Sequence, residues 1–387
     1  MKPVILGGIP VFKDKLRLVS PYMSSLSEIE HDFKNFYNKG ILTKGEILNI
    51  FEAKIAKYLG VRNVICVSSC TLGLMLVLKA LDLKGSVILP SHTFIATGNA
   101  VLWNNLKPIF VDVNPRALTI NEDDILSTIT PNTSAIIATH IHGNPCNVIK
   151  LMLIAKKHNL KLIFDAAHAF GSEYKGTKVG SFGDAEVFSC SPTKTLVTGE
   201  GGIITTNNDQ LANDLRVLLE YGNPGNYDCV ANGLNARMSE FNALLGCKNI
   251  KAMDKIIKNR VDFANYIRDG LSGIAGINFQ YVSKDSVSSY KDLVLVLDDN
   301  LHLSRDEFVK CLTLENIETR NYYDPPLHLQ TVFKEFNTRE LLVTNNLHNN
   351  ILSLPISSEY SYETASKLIL VIKRIVKYKE CVARKIR

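Results

Sequence analysis

Lys194 lies in the segment FSCSPTKTLVTGEGG (188–202), and its neighbours suit a lysine that reacts covalently. Three glycines within the eight residues after it allow tight backbone turns beside a bound group. Ser189, five residues before it, offers a hydroxyl to an anion such as phosphate. A lysine amine forms a Schiff base with a carbonyl compound when burial and neighbouring charges lower its pKa. The pattern predicts a nucleophilic lysine, although an ordinary surface lysine would fit Lys194 taken alone.

Asp165 ends an apolar run in the segment LIFDAAHAFG (162–171) and so stands at the mouth of a predicted sheet. Pyridoxal 5'-phosphate (PLP) chemistry requires a carboxylate there, because it keeps the pyridine nitrogen protonated and lets the ring act as an electron sink. The alternative is that Asp165 caps a helix, a position that aspartate also favours. The chain order of Asp165, a further strand and then Lys194 favours the cofactor interpretation.

Ser69, Cys70 and Thr71 follow the apolar run 63–67 and open a helix-like segment. Backbone N–H groups and the helix dipole at such a junction favour an anion, so the cofactor phosphate is predicted to bind there. Plain helix capping by the two hydroxyl residues is the alternative. Phe94 follows another run, where an aromatic ring would stack on a flat cofactor or simply belong to the core.

Seven short runs rich in β-branched residues, several of them separated by helix-like segments, supply the elements that position these residues. The runs are NVICV (63–67), SVILP (86–90), KPIFVDV (107–113), SAIIAT (134–139), LKLIFDA (160–166), AEVFSC (185–190) and GGIITT (201–206). This alternation predicts an α/β protein with a mostly parallel sheet covered by helices. Ligands bind at the carboxyl ends of the strands in such sheets, which is where the residues above fall.

The C-terminal third predicts a smaller α+β domain. Its predicted elements are a long helix over about 240–270, a strand over 289–297, a helix over 305–315 and a final helix from 362 to about 378. The chain is too long for one small core. We therefore expect a large domain over residues 1–247, including the N-terminal segment, and a small domain over 248–387.

The composition is that of an ordinary globular protein, with 46% hydrophobic and 21% charged residues. The net charge of +6 is mild and forms no dense basic stripe with interleaved aromatics, so no nucleic-acid partner is predicted. Apolar runs are too short to span a bilayer, and the N-terminus lacks a secretory signal, so a cytoplasmic protein without a membrane partner is expected. Eight scattered cysteines without a CxxC pair predict neither disulfides nor a metal site.

Together the motifs resemble the DegT-type nucleotide-sugar aminotransferase family, a branch of the fold-type I PLP-dependent enzymes. The matching segments begin at 41–61 and continue through 67–74, 90–97, 164–171, 188–202, 233–240 and 352–356. The resemblance implies the PLP-dependent transferase fold of type I. A dinucleotide-binding dehydrogenase is disfavoured, since VSSCTLGL stands where a GxGxxG would follow the first strand.

The resemblance implies a role for each motif residue at the cofactor ring. Lys194 matches the Schiff-base lysine and Asp165 matches the partner of the pyridine nitrogen. His168 falls where the family has glutamine or histidine near the phenolic oxygen, and Phe94 matches the aromatic residue that stacks on the ring. Relatives that act as sugar dehydrases have histidine at the lysine position, so Lys194 favours transamination. A non-catalytic binding protein is the alternative of another class, which loss of Lys194 or Asp165 would indicate.

The resemblance also implies a phosphate site formed by Cys70, Thr71 and Ser189 beside Ser69. The family often has glycine in place of Cys70, but a backbone N–H serves equally well there. Asn235 matches an asparagine that the family lends to the phosphate site of the neighbouring subunit. An obligate homodimer with shared active sites is therefore expected.

The implied reaction uses L-glutamate as amino donor and a nucleotide-linked keto sugar as acceptor. The motifs look most like those of dTDP-4-amino-4,6-dideoxyglucose transaminases, which aminate C4 of dTDP-4-keto-6-deoxyglucose for O-antigens and similar glycans. Aminotransferases that act at C3, or on UDP- or GDP-sugars, would show nearly the same motifs. A nucleotide diphosphate needs cationic or N–H donors, for which Arg237, Arg320 and His328 are candidates.

Overall fold

A computed structural model describes residues 2–387. In chain order its strands are β1 (Asn63–Val67), β2 (Ser86–Pro90), β3 (Lys107–Val111), β4 (Thr133–Thr139), β5 (Lys161–Asp165), β6 (Glu173–Tyr174), β7 (Thr177–Lys178), β8 (Ala185–Ser189), β9 (Gly202–Thr206), β10 (Ile277–Phe279), β11 (Ser286–Val287), β12 (Leu293–Leu297) and β13 (Ile351–Leu354). The seven runs predicted as strands correspond to β1–β5, β8 and β9.

Helices follow or separate most of these strands. They are α1 (Leu26–Lys39), α2 (Glu46–Leu59), α3 (Cys70–Ala80), α4 (Ile95–Trp103), α5 (Glu122–Thr128), α6 (Val148–His158), α7 (Asp209–Leu218), α8 (Glu240–Asn249), α9 (Met253–Gly270), α10 (Arg305–Leu314), α11 (Leu342–Asn350), α12 (Tyr362–Lys377) and α13 (Lys379–Ile386). No helix within residues 2–387 is long and apolar enough to cross a membrane.

The central sheet has the strand order β1-β9-β8-β5-β4-β2-β3. Only β9 runs against the others, since it pairs antiparallel with both β1 and β8. Alternate residues of β1 enter clusters on opposite faces, Ile65 and Val67 on one and Val64 and Cys66 on the other. The strands are therefore buried on both sides, which explains why they appear in the sequence as continuous apolar runs. The predicted mixed, mostly parallel sheet flanked by helices is confirmed.

Two elements of the C-terminal third differ from their predictions. A 3-10 turn at Ile250–Ala252 divides the predicted long helix into α8 and α9. The break lets each half pack separately: Gly246 of α8 lies directly against the ring of Phe51 in α2, while α9 packs on α12. The predicted strand over 289–297 begins only at Leu293. The residues before it follow an irregular path in which the Ser289 hydroxyl donates to the His168 carbonyl (2.7 Å) and the carbonyl of Tyr290 accepts from Arg260 (2.8 Å).

A second, three-stranded sheet of order β10-β12-β13 forms the centre of the C-terminal part. Apolar side chains of this sheet pack with α9, α10, α12 and α13 in one cluster. Residues of the N-terminal segment, including Ile5 and Phe12, pack against that same cluster. The division of the chain at residue 247 stays a prediction, to which the structure adds that the first residues contact the C-terminal cluster.

Candidate active site

A cavity of about 250 Å³ opens at the carboxyl edge of the central sheet. One side, here called the strand-end wall, is built from residues that follow β1, β2, β5 and β8. These are Ser69, Cys70, Thr71, Phe94, Asp165, His168, Ser189 and Lys194. All of them were predicted from the sequence, and the fold brings them together because the carboxyl ends of parallel strands meet at one edge.

Lys194 lies in the loop between β8 and β9, where its backbone N–H donates to the carbonyl of Ser191 (3.0 Å). Burial lowers the pKa of the Lys194 amine to about 8, and the neighbouring cation of Lys291 adds to that effect. With such a pKa, roughly one tenth of the amine is neutral at pH 7, far more than for an exposed lysine. A neutral amine facing a cavity is suited to attack a carbonyl carbon.

Asp165 ends β5 with its side chain buried beneath the cavity. The hydroxyl of Thr97 donates to Oδ2 (2.6 Å), and the backbone N–H of Ala167 donates to Oδ1 (3.1 Å). Burial raises the pKa of Asp165, while these two hydrogen bonds act in the opposite direction. Two donors fix the carboxylate, and a cation in the cavity would stabilise it further. This is the environment that a protonated pyridine nitrogen requires.

His168 is held in a defined tautomer by the backbone. The N–H of His142 donates to Nδ1 of His168 (3.0 Å), so that atom is the unprotonated one and Nε2 carries the hydrogen. Burial lowers the pKa of His168 well below its usual value, which keeps the ring neutral. Nε2 lies 3.4 Å from the hydroxyl of Tyr323. His168 therefore presents a hydrogen-bond donor to the cavity.

The N-terminus of α3 is suited to an anion. The Ser69 hydroxyl accepts from the N–H of Leu72 (3.2 Å), so the capping alternative is also realised. Within residues 2–387, the N–H groups of Cys70 and Thr71 find no acceptor. Gly202 at the start of β9 permits this arrangement, because a Cβ there would lie 2.6 Å from the Cys70 nitrogen. Two free N–H groups and the helix dipole therefore point to a phosphate-binding position.

The opposite side of the cavity, here called the C-terminal wall, was missed by the sequence analysis. It consists of Lys291, Tyr322 and Tyr323. Lys291 fell inside the strand predicted over 289–297, and nothing in that segment gave a reason to single it out. The two tyrosines follow α10 in an irregular segment that carried no recognisable spacing. Only the packing of the C-terminal part against the sheet brings these side chains to the cavity.

Behind the C-terminal wall lies a buried polar network. Nδ1 of His142 donates to Asp292 (3.0 Å), and Nζ of Lys291 lies 2.8 Å from the other carboxylate oxygen. Although burial opposes it, Lys291 and His142 hold the pKa of Asp292 well below its usual range. Three residues here are of types that bind metals: His142, His168 and Asp292. One ring nitrogen of each histidine and one carboxylate oxygen lie within 4.8 Å of one another. Their facing groups hydrogen-bond within the network, so we interpret the cluster as structural.

Asn235 and Arg237 lie away from this cavity. Asn235 is exposed, and its side-chain oxygen accepts from Nε of Arg237 (3.1 Å). Arg237 also pairs with Glu220 (3.2 Å) and lines a different pocket. Within the single chain, neither residue contributes to the cavity of Lys194.

The other two predicted substrate residues are not in the cavity either. Arg320 is exposed, with its backbone bridged to Ser353. His328 is buried, with Nδ1 bonded to the hydroxyl of Ser91 (2.6 Å) and Nε2 to the side chain of Asn345 (2.9 Å). Both ring nitrogens of His328 are therefore engaged within the fold, which favours a structural role.

Comparison with known proteins bears out the resemblance. The profile of the DegT/DnrJ/EryC1/StrS aminotransferase family matches residues 24–373. The chain is 32% identical over 339 residues to a dTDP-4-amino-4,6-dideoxy-D-glucose transaminase of Shigella dysenteriae, covering 87% of this chain and 92% of that protein. It is 30% identical over 341 residues to a GDP-perosamine synthase of Caulobacter vibrioides, covering 87% and 92%.

A solved structure of DesI with its TDP-sugar product superimposes with a TM-score of 0.93 at 29% identity, covering 100% of this chain and 99% of that one. The predicted fold class is confirmed by this likeness. The matched family profile spans both the central sheet and most of the C-terminal part. The chain therefore belongs to the DegT/DnrJ/EryC1/StrS aminotransferase family.

Proposed function

We propose that this protein is a PLP-dependent transaminase that aminates C4 of dTDP-4-keto-6-deoxyglucose with L-glutamate as donor. The observation that carries the proposal is the meeting of Lys194 and Asp165 in one cavity. A lysine whose pKa burial lowers to about 8 lies there with a buried carboxylate that two donors hold in place. Family membership and the likeness to a dTDP-sugar transaminase support the choice of substrate.

The residues of the strand-end wall fit the cofactor in charge and position. Lys194 would hold PLP covalently, Asp165 would face its ring nitrogen, and the N–H groups of Cys70 and Thr71 would receive its phosphate. Phe94 is 55% exposed at the rim, so its ring is available to stack on a flat group. Bound PLP would supply an electron sink for the pair of electrons left when a Cα–H bond breaks.

Each polar residue then has a distinct task. Lys194 would remove the proton from Cα of L-glutamate. Asp165 would stabilise positive charge on a protonated ring nitrogen. His168, fixed as the neutral Nε2–H tautomer, would donate a hydrogen bond to the phenolic oxygen of the bound group. The same three groups would serve in the reverse direction when the amine passes to the keto carbon of the sugar.

The proposal includes a homodimer with shared active sites. Asn235 is exposed and remote from its own cavity, as expected of a residue that serves a neighbouring subunit. The nearby loop exposes Tyr221, Tyr227 and Val230, which are 52%, 94% and 66% accessible. A second copy of the chain would bury this apolar surface. We also propose that the protein is cytoplasmic and that its product is used in the synthesis of O-antigens or similar glycans.

Visible absorption spectra of the purified protein test the proposed reaction. We expect a band from PLP bound through Lys194, its loss on addition of L-glutamate, and its return on addition of dTDP-4-keto-6-deoxyglucose. Mass spectrometry and NMR of the product would then identify the aminated carbon. If the band responds to glutamate but does not return with this sugar, the protein is a transaminase and dTDP-4-keto-6-deoxyglucose is not its acceptor.

A different acceptor is the second candidate. The likeness to a GDP-perosamine synthase favours testing GDP-linked keto sugars in the same assay, followed by UDP-linked sugars and 3-keto sugars. Failure to hold PLP at all, with no effect of Lys194→Ala, would exclude the enzyme and favour a binding protein.

A further inference from the structure

A second lysine is buried at the same cavity as Lys194. Lys291 is 2% exposed and forms part of the C-terminal wall, so it lines the same cavity as Lys194. Burying an ammonium group is costly unless it is paired. The pairing is present, since Nζ lies 2.8 Å from Asp292 and 4.7 Å from the ring centre of Tyr322. The fold therefore maintains a charged lysine at this place.

The ion pair is oriented with its positive end toward the cavity. Lys291 lines the cavity, whereas Asp292 does not and instead accepts a hydrogen bond from His142 behind the wall. The backbone of this segment is also fixed, because the guanidinium of Arg260 donates to the carbonyls of Tyr290 (2.8 Å) and Lys291 (3.0 Å). A fixed cation, Lys291, thus lines the same cavity as the Lys194 amine.

We propose that Lys291 is a positioning residue whose fixed positive charge enlarges the neutral, nucleophilic fraction of the Lys194 amine whenever that amine is free. The physical reason is the repulsion between two ammonium groups in a cavity of low dielectric constant. The inference rests on the proposed transaminase function, which frees and recaptures the Lys194 amine in every cycle.

Other groups around Lys194 act on the same equilibrium. The titratable side chains near it, besides Lys291, are Asp292, Cys70, Cys190, Asp165, His168, Glu200, Tyr322 and Tyr323. Burial is the main cause of the lowered pKa of Lys194, and the charge of Lys291 is the second. Asp292, Cys70 and Asp165 act in the opposite direction and raise that pKa. His168 is kept neutral by burial, and Glu200 is exposed at the rim. Among the groups that shift this pKa, Lys291 is therefore the cation that lowers it.

Competitive acetylation tests the proposal on the full chain freed of PLP. A trace of acetic anhydride is added at a series of pH values, and mass spectrometry quantifies the modified Lys194 peptide. We expect a midpoint near pH 8 for the wild type, matching the pKa of about 8. In Lys291→Met the midpoint should rise by about one unit, so that labelling of Lys194 at pH 7 falls about tenfold. Lys291→Arg should restore the wild-type midpoint.

A matched control is Lys84→Met, which removes an exposed lysine that also pairs with an aspartate, Asp82, at 2.7 Å. Its midpoint should not move. The double variant Lys291→Met/Asp292→Asn avoids leaving a buried carboxylate unpaired, and its midpoint should also rise. A midpoint that stays at the wild-type value or falls, in either Lys291→Met or the double variant, would overturn the proposal.

The two proposals can fail separately. The visible band of the PLP-loaded wild type tests the transaminase function, whereas labelling of the PLP-free chain tests the action of Lys291. If the wild type holds no PLP but Lys291→Met shifts the labelling midpoint, the function is wrong and the electrostatic inference stands. If the band is present and responds to glutamate while the midpoint is unchanged, only the role of Lys291 is wrong.

Discussion

The two walls of the cavity are built by different means. The strand-end wall places each group at the end of a strand of the central sheet or within five residues after it, so the sheet itself largely sets its backbone position. The C-terminal wall has no such support, since Lys291 precedes β12 and Tyr322 and Tyr323 lie in an irregular segment. Hydrogen bonds fix it instead, including those from Arg260 and the bond from the Ser289 hydroxyl to the His168 carbonyl (2.7 Å).

This difference separates two tasks. Groups that must keep one geometry for the chemistry lie on rigid strand ends, where a small displacement would be costly. The groups that we propose to adjust charge lie on segments that the C-terminal part carries to the cavity. We therefore expect variants of the strand-end wall to affect cofactor binding and turnover, and variants of the C-terminal wall to affect pH dependence and substrate affinity.

Lys194→Ala should have the largest effect. Turnover should fall by at least about 10³-fold, since both the covalent attachment of PLP and the proton-transfer group are lost. The visible band of bound PLP should disappear with it. Transamination rates and spectra of the purified variant check this, with Lys84→Ala as a control at an exposed lysine. Turnover within a few-fold of the wild type would contradict the assignment of Lys194.

Asp165→Asn should come next, with turnover lowered by about 10² to 10³-fold. The amide oxygen can still accept a hydrogen bond, so the protein should fold and retain its PLP band. The loss arises because a neutral amide does not stabilise a protonated ring nitrogen. Thr97→Val, which removes only the 2.6 Å hydrogen bond to the carboxylate, should cost about tenfold. The assignment fails if Asp165→Asn costs no more than Thr97→Val.

Gly202→Ala probes the phosphate position without changing any polar side chain. The added Cβ would lie 2.5 Å from the Ser69 carbonyl carbon and 2.6 Å from the Cys70 nitrogen, so the start of α3 must move. We expect PLP affinity to fall about tenfold to 100-fold, measured by titration of the visible band. Gly40→Ala is the control: its φ of +66° makes alanine strained there too, but nothing lies within 4 Å of the added Cβ, so the start of α3 does not move. Equal PLP affinity in both variants would place the phosphate elsewhere.

Tyr323→Phe should have the smallest effect and sharpens the contrast between the walls. It removes a hydroxyl 3.4 Å from Nε2 of His168 while keeping the ring. We expect KM for the keto sugar to rise by about fivefold, because a hydroxyl that lines the cavity and could bind the substrate is lost, while PLP binding is unchanged. Steady-state kinetics with the exposed Tyr362→Phe as control check this. If the variant binds PLP more weakly and KM is unchanged, the Tyr323 hydroxyl supports the cofactor and not the substrate.

The residues of the strand-end wall could be predicted from the amino-acid sequence. Each ends or follows a run of buried apolar residues, and the edge of a parallel sheet collects such positions. The order of Asp165, a strand and Lys194 was therefore enough to predict the cofactor chemistry, whereas His168 was singled out only by the family resemblance. Local patterning was less informative at 240–270, where apolar spacing continued through the 3-10 turn that separates α8 from α9.

The other residues of the cavity became apparent only from the three-dimensional structure. The lysine of the C-terminal wall comes from about one hundred residues beyond Lys194, and its role depends on Asp292 lying behind it and the cavity in front. His328, predicted to bind substrate, is instead engaged by Ser91 and Asn345. Contacts between distant segments leave no periodic pattern in the chain, because they depend on how two separately folded surfaces meet.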